Sequence, residues 1–188
     1  MTRCRAWALP RSESWIAAAR VATWGVWAAA CCWVRRARSC SAPAACAAFV
    51  TAVLPDMSPT APCWTFDRDD RTAAFWRRRQ LQEVSVHRWD VDQHEIDETI
   101  AEAGVDEVVD FFLPRQLALG RTTVPDGGLA LVAPGKEWAL LPGEPAARVE
   151  GAPADLNLLL WGRRTLDEMT VTGDAAFAAQ VFAAALTP

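Results

Sequence analysis

Glu83 and His87 stand four residues apart in the stretch Phe75-Trp-Arg-Arg-Arg-Gln-Leu-Gln-Glu-Val-Ser-Val-His-Arg-Trp-Asp90. Four residues is just over one helical turn, so a carboxylate and an imidazole at this spacing project from one helical face and can share one cation. Zinc in a catalytic site takes three protein ligands and keeps a fourth position open for water or substrate, and one Glu with two His is a familiar set. The chain has only two His. His94 lies seven residues beyond His87, about 10.5 Å along a helix, too far to join the same ion without a bend. Cys63 and Asp90 are the other donors the sequence leaves open, and Asp90 can equally orient His87 as a hydrogen-bond acceptor. A solvated Glu and His on a long amphipathic helix is the plainer alternative, since the E-x-x-x-H spacing is common.

A helix of about twenty residues, ending near Gln93, must position these groups. Pro55, Pro59 and Pro62 make a turn-rich entry to it, and Asp69 or Asp70 can cap a start near Arg71. At helical spacing Trp76, Gln80, Glu83, His87, Asp90 and His94 fall within an arc of roughly 80°. A polar stripe bordered by Phe75, Val84, Val86 and Val91 suits a helix facing a functional cavity in a bundle. Arg77-Arg78-Arg79 reads as one solvated helical face.

The second half changes pattern. Ile96 to Leu119 reads as helical, with Pro114 as an interruption. Leu129–Ala133, Lys136–Leu141 and Ala146–Glu150 read as strands separated by Pro134-Gly135 and Pro142-Gly143, which predicts an antiparallel meander. Ala154 to Trp161 reads as a buried helix, Thr170 to Thr172 as a short strand, and Asp174 to Leu186 as a closing helix capped by Asp174. Arg163-Arg164 falls where the buried helix ends, so compensation of the helix dipole accounts for it.

Composition bounds the rest. With 188 residues, 52% of them hydrophobic, the chain can bury a core, as one ordinary domain or two small ones. The net charge is -4, but residues 1 to 38 carry seven Arg against the single acid Glu13. The acidic remainder argues against nucleic acid as a partner. Five of the six Cys fall in the first 46 residues, with no C-x-x-C pair, which fits a reduced, cytoplasmic protein and neither a disulfide framework nor a zinc knuckle. Residues 1–54 stand apart, with five Trp, clustered Arg and the 14-residue apolar run Val21–Val34, short for a membrane span; the segment reads as a secretion or membrane signal, as a partly buried helix, or, in first place, as sequence foreign to the domain that follows. No G-x-G-x-x-G, P-loop or G-x-S-x-G is present, so nucleotide binding and serine hydrolysis find no support.

Cys63-Trp-Thr-Phe66, Ala74-Phe-Trp-Arg-Arg-Arg79 and Glu83-Val-Ser-Val-His-Arg-Trp-Asp90 together resemble the end of the metal-binding domain of the mycothiol-dependent maleylpyruvate isomerase family of actinobacteria. Ala154-Asp-Leu-Asn-Leu-Leu-Leu-Trp-Gly-Arg-Arg164, followed by Val171-Thr-Gly-Asp174, is similar to that family's second domain. The resemblance covers about residues 60 to 188 and implies an α+β protein. Its parts are a partial DinB-like helical bundle at 55–94, entered from an atypical segment at 1–54, and a small sterol-carrier-like domain at 95–188. It further implies a divalent metal, zinc, with Glu83 and His87 among its ligands, mycothiol as thiol cosubstrate, a small-molecule substrate, and a second-domain arginine, Arg163 or Arg164, in catalysis. The family's early-helix His has no counterpart here. Two function classes follow: a metal- and thiol-dependent isomerase or transferase, or a non-catalytic remnant or binding module with a degenerate metal site. A protein tethered to a membrane through Val21–Val34 ranks last.

Overall fold

The structure, a computed structural model, describes residues 56–188. The Trp-rich segment and Val21–Val34 lie outside the described residues. In order come α1 (Ala73–Asp92), α2 (Glu98–Glu107), a π-helical turn (Val108–Phe112), α3 (Leu113–Ala118), β1 (Gly128–Ala133), β2 (Lys136–Leu141), β3 (Pro145–Glu150), α4 (Pro153–Leu160), a 3-10 turn (Leu166–Glu168), β4 (Thr170–Gly173) and α5 (Ala175–Phe182). Helices with a four-stranded sheet make the chain α+β, the expected class. The described residues divide into two compact units, one reaching to Arg79 and one from Gln80 to Pro188.

In the first unit, residues 56–79 build the entry to α1. Pro62 and Thr72 form an isolated antiparallel bridge, with the Cys63 N–H donating to the Arg71 carbonyl at 2.9 Å and the Ala73 N–H to the Ala61 carbonyl at 2.9 Å. That bridge holds Thr72 extended, so the helix begins at Ala73 and not near Arg71. Asp70 Oδ1 accepts the Thr72 N–H at 3.1 Å and the Thr72 hydroxyl at 2.6 Å, while Oδ2 takes the Arg78 guanidinium. The Thr72 hydroxyl, and then Arg78, hold the Asp70 carboxyl below its ordinary range. Phe66 meets Phe75 and Trp76 edge-on, with centroids 5.0 and 5.3 Å apart, and the Trp76 indole N–H donates to the Trp64 carbonyl at 2.8 Å.

In the second unit, Asp97 caps α2, its Oδ1 accepting the Thr99 N–H at 2.9 Å and the Ile100 N–H at 3.3 Å. The expected interruption at Pro114 takes the form of the π-helical turn. Proline has no N–H for the Asp110 carbonyl and its ring crowds that carbonyl, so the turn widens and the Leu113 N–H reaches back to the Val108 carbonyl.

The sheet corrects the expected meander. Its order is β2-β1-β3-β4; β1 is antiparallel to β2 and parallel to β3, and β3 is antiparallel to β4. Pro134-Gly135 is a hairpin turn as read, but the Pro142-Gly143 link leads to the far side of β1, so β3 never pairs with β2. Gly128, at the start of β1, permits the passage: a Cβ there would lie 2.6 Å from the carbonyl oxygens of both Gly143 and Glu144. Hydrophobic alternation records which faces a strand buries, not which neighbour it pairs with. Leu129, Ala130 and Leu131 of the central strand are buried, each large side chain contributing roughly 1.5–3 kcal/mol. α2 packs on α4, and α5 covers β3 and β4.

Gly128→Ala should lower stability by about 1–3 kcal/mol, read as a lower urea midpoint; an unchanged midpoint would mean the link can move aside. Because Asp70 has a depressed folded pKa, its contribution is present above the unfolded value and lost as pH falls through the folded one. Urea unfolding from about pH 5 down to about pH 2 should therefore show an acid-side loss that is smaller in Asp70→Asn.

Candidate functional site

Residues 80–92 of α1 bring Glu83, His87 and Asp90 onto one helical face, as their i, i+4, i+7 spacing requires. His87 Nε2 lies 3.2 Å from Glu83 Oε2, and His87 Nδ1 lies 3.1 Å from Asp90 Oδ2. Asp90 in turn accepts two hydrogen bonds from Arg163, from Nε at 3.1 Å and Nη2 at 3.0 Å. The four side chains form one chain of contacts, Glu83 to His87 to Asp90 to Arg163, each roughly a quarter to a third exposed.

Arg163 reaches this chain because of how α4 ends. Gly162 takes φ 69°, the Arg163 N–H donates to the Leu158 carbonyl at 2.8 Å and the Gly162 N–H to the Leu159 carbonyl at 3.0 Å. These paired bonds make a Schellman cap, which a glycine in the left-handed region allows. The Arg163 Nη1 also donates to the Trp161 carbonyl at 2.6 Å, so the guanidinium is held on its own side before it meets Asp90.

Arg164, the other arginine singled out, is placed differently. Its Nε lies 3.2 Å from Asp155 Oδ1, its Nη1 donates to Glu168 Oε1 at 2.7 Å, and its guanidinium sits 5.5 Å from the Trp89 ring centre. Glu168 also closes a capping box with Thr165, so Arg164 ties α4 to the 3-10 turn.

The electrostatics follow the contacts. The hydrogen bond to Glu83 raises the His87 pKa above its ordinary value, burial opposes the rise, and Asp90 adds to it. Arg163 is the main reason the Asp90 carboxyl is held below its ordinary range. Protonated, the imidazole is bracketed by two carboxylates. Neutral, with Nδ1–H donating to Asp90, it presents Nε2 beside Glu83 Oε2 as a nitrogen and an oxygen donor for one divalent ion.

This donor pair suits half a metal site. Among the described residues no group of three or more His, Cys, Asp or Glu is arranged to hold a metal ion. His94 follows the end of α1, exposed, its N–H bonded to Asp92 Oδ1 at 3.0 Å, and Gln93 before it has φ 53°. Cys63 lies in the loop before α1, and burial, then the charge of Asp70, pushes its thiol pKa up, away from the thiolate a metal binds. The arginine run is not one solvated face, because Arg79 is 4% exposed and Arg77 donates to the Met57 carbonyl. Gln82 and Asn157, both buried, escaped sequence reading; the one trace was a lone amide inside the apolar run Leu156–Leu160.

Comparison with known families decides the relationship. Residues 11–92 match the mycothiol maleylpyruvate isomerase N-terminal domain, and residues 99–180 match the MDMPI C-terminal domain. The chain belongs to the mycothiol maleylpyruvate isomerase family. The first match ends with α1 and begins at residue 11, which corrects the expectation that the resemblance starts near residue 60: residues 11–54 of the segment that composition set apart fall within the family's N-terminal domain and are not foreign to it. No curated protein and no solved structure matches the chain. Among the described residues no helix is long and apolar enough to cross a membrane.

Asp90→Asn and Arg163→Ala should each cost no more than about 1 kcal/mol in urea unfolding, because the pair is partly exposed. The two effects should be non-additive by about 0.5 kcal/mol or more; strict additivity would mean the pair does not form in solution.

Proposed function

We propose that this chain is a low-molecular-weight-thiol-dependent isomerase or transferase, with mycothiol as the thiol and a small unsaturated or electrophilic molecule as substrate. The observation that carries the reading is the Glu83–His87–Asp90–Arg163 chain of contacts in a chain matching both domains of the mycothiol maleylpyruvate isomerase family. In this reading the N-terminal domain is a DinB-like bundle and residues 95–188 are a sterol-carrier-like domain. Glu83 Oε2 and His87 Nε2 would hold a divalent metal, zinc in the first instance, with a further donor supplied from outside the described residues or by water. A bound divalent cation lowers the pKa of a coordinated thiol and so favours the nucleophilic thiolate.

The chain's own residues have separate tasks. Asp90 accepts the Nδ1 proton of His87, which fixes the tautomer and aims Nε2 at the position Glu83 shares. Arg163 neutralises Asp90 and is the arginine next to the donor pair, where it can meet an anionic substrate carboxylate. Arg164, held by Asp155 and Glu168, serves the fold.

A second reading, a binding module with a degenerate metal site, is favoured by the two-donor count among the described residues. Elemental mass spectrometry of the purified protein separates the two. The enzyme reading expects about one zinc per chain, lost in His87→Ala and Glu83→Ala while circular dichroism is unchanged, and thiol-dependent transfer in the metal-loaded protein. A wild-type chain that binds no metal when zinc is supplied would leave the binding module.

A further inference from the structure

Three buried polar atoms converge on Gly104 of α2. Asn157 of α4 is fully buried, and neither its Oδ1 nor its Nδ2 has a hydrogen-bond partner. Gln82 of α1 is 2% exposed; its Nε2 donates to the Ile100 carbonyl at 2.8 Å, and its Oε1 has no partner. A Cβ at Gly104 would lie 2.6 Å from Asn157 Oδ1, 2.6 Å from Gln82 Oε1 and 2.7 Å from Asn157 Nδ2. Thus the two side-chain amides share one spot on the bare backbone of a third helix. Buried amides left unpaired are costly, and native interiors pair nearly all of them. Leucines at both positions would pack this junction without that cost. Amides add direction: a hydrogen bond fixes the rotation and register of a helix, where apolar contacts let it slide.

We propose that Gln82 and Asn157 close into a buried amide–amide hydrogen bond over Gly104, and that they are positioning residues for the candidate site. The change that would make one a donor to the other is a rotation of either amide, with or without an exchange of the nitrogen and oxygen of Asn157. The pair joins the same two elements that meet at the site. Eight residues along α1 from Gln82, about 12 Å, stands Asp90. Six residues on from Asn157, past the Gly162 cap, stands Arg163, its partner. The buried joint sets the register of residues 80–92 against α2 and α4, and the exposed end of that register is the meeting of Asp90 with Arg163.

The test is nuclear magnetic resonance on the full chain, following backbone amide exchange and the Arg163 Nε–H signal in wild type and Asn157→Leu. The proposal expects protection of amides 83–91 to fall about tenfold or more, with the Arg163 signal moved to its solvent-exposed position and the sheet amides of Leu131 and Val149 unchanged. Uniform loss across helix and sheet, or an unmoved Arg163 signal, would overturn it. If Asn157→Leu does not fold, Gly104→Ala with and without Asn157→Ala decides. Under the proposal Gly104→Ala displaces the Arg163 signal and adding Asn157→Ala does not restore it. Restoration would mean that Asn157 only fills space.

Discussion

The candidate site depends on one carboxylate. Asp90 is the member that touches both the imidazole on its own helix and a guanidinium 73 residues further along the chain. Alone, Glu83 and His87 are an i,i+4 pair of a kind that many surface helices carry and that adds a few tenths of a kcal/mol. Asp90 changes their standing, because it binds Nδ1 while Glu83 lies beside Nε2, so both ring nitrogens face a carboxylate. Arg163 then keeps Asp90 ionised. An imidazole oriented by a carboxylate that is itself neutralised by an arginine is a common support for a histidine that acts as a ligand.

Much of the machinery that delivers Arg163 to Asp90 is backbone. Two glycines mark places where the chain would otherwise fail to close. Gly128 leaves room for the link that carries β3 across to the far side of β1, and Gly162 turns the end of α4 so that Arg163 leaves the helix toward Asp90. The two arginines in sequence are separated in role by this turn. Arg163 goes to Asp90, while Arg164 is drawn to Asp155 and Glu168.

What could be read in advance was local. The helix carrying Glu83 and His87, the three strands from Leu129 to Glu150, the break at Pro114 and the capping role of Asp174 all rest on periodicity or turn chemistry within a few residues, and each element stands close to where it was expected. The order of the strands was not legible, since pairing β3 beside β1 depends on a link whose composition, Pro-Gly, serves a hairpin equally well. The start of α1 was misplaced for a related reason: the bridge between Pro62 and Thr72 competes for backbone that Asp70 would otherwise have capped.

For the site, spacing gave Glu83, His87 and Asp90, because one helical face is a property of one segment. It offered Arg163 and Arg164 without a choice between them, since the choice is made by contacts across 73 residues. Gln82 drew no notice, because a glutamine in a charged helix, with Gln80 two residues before it, looks like surface; in the structure it is buried, with its Oε1 close to Gly104 of α2. Asn157 left a trace, a lone amide inside an apolar run, that went unread, and Gln82 left none, because the residues around it are charged. The charged composition that draws attention to Glu83 and His87 thus conceals the buried amide one residue before them.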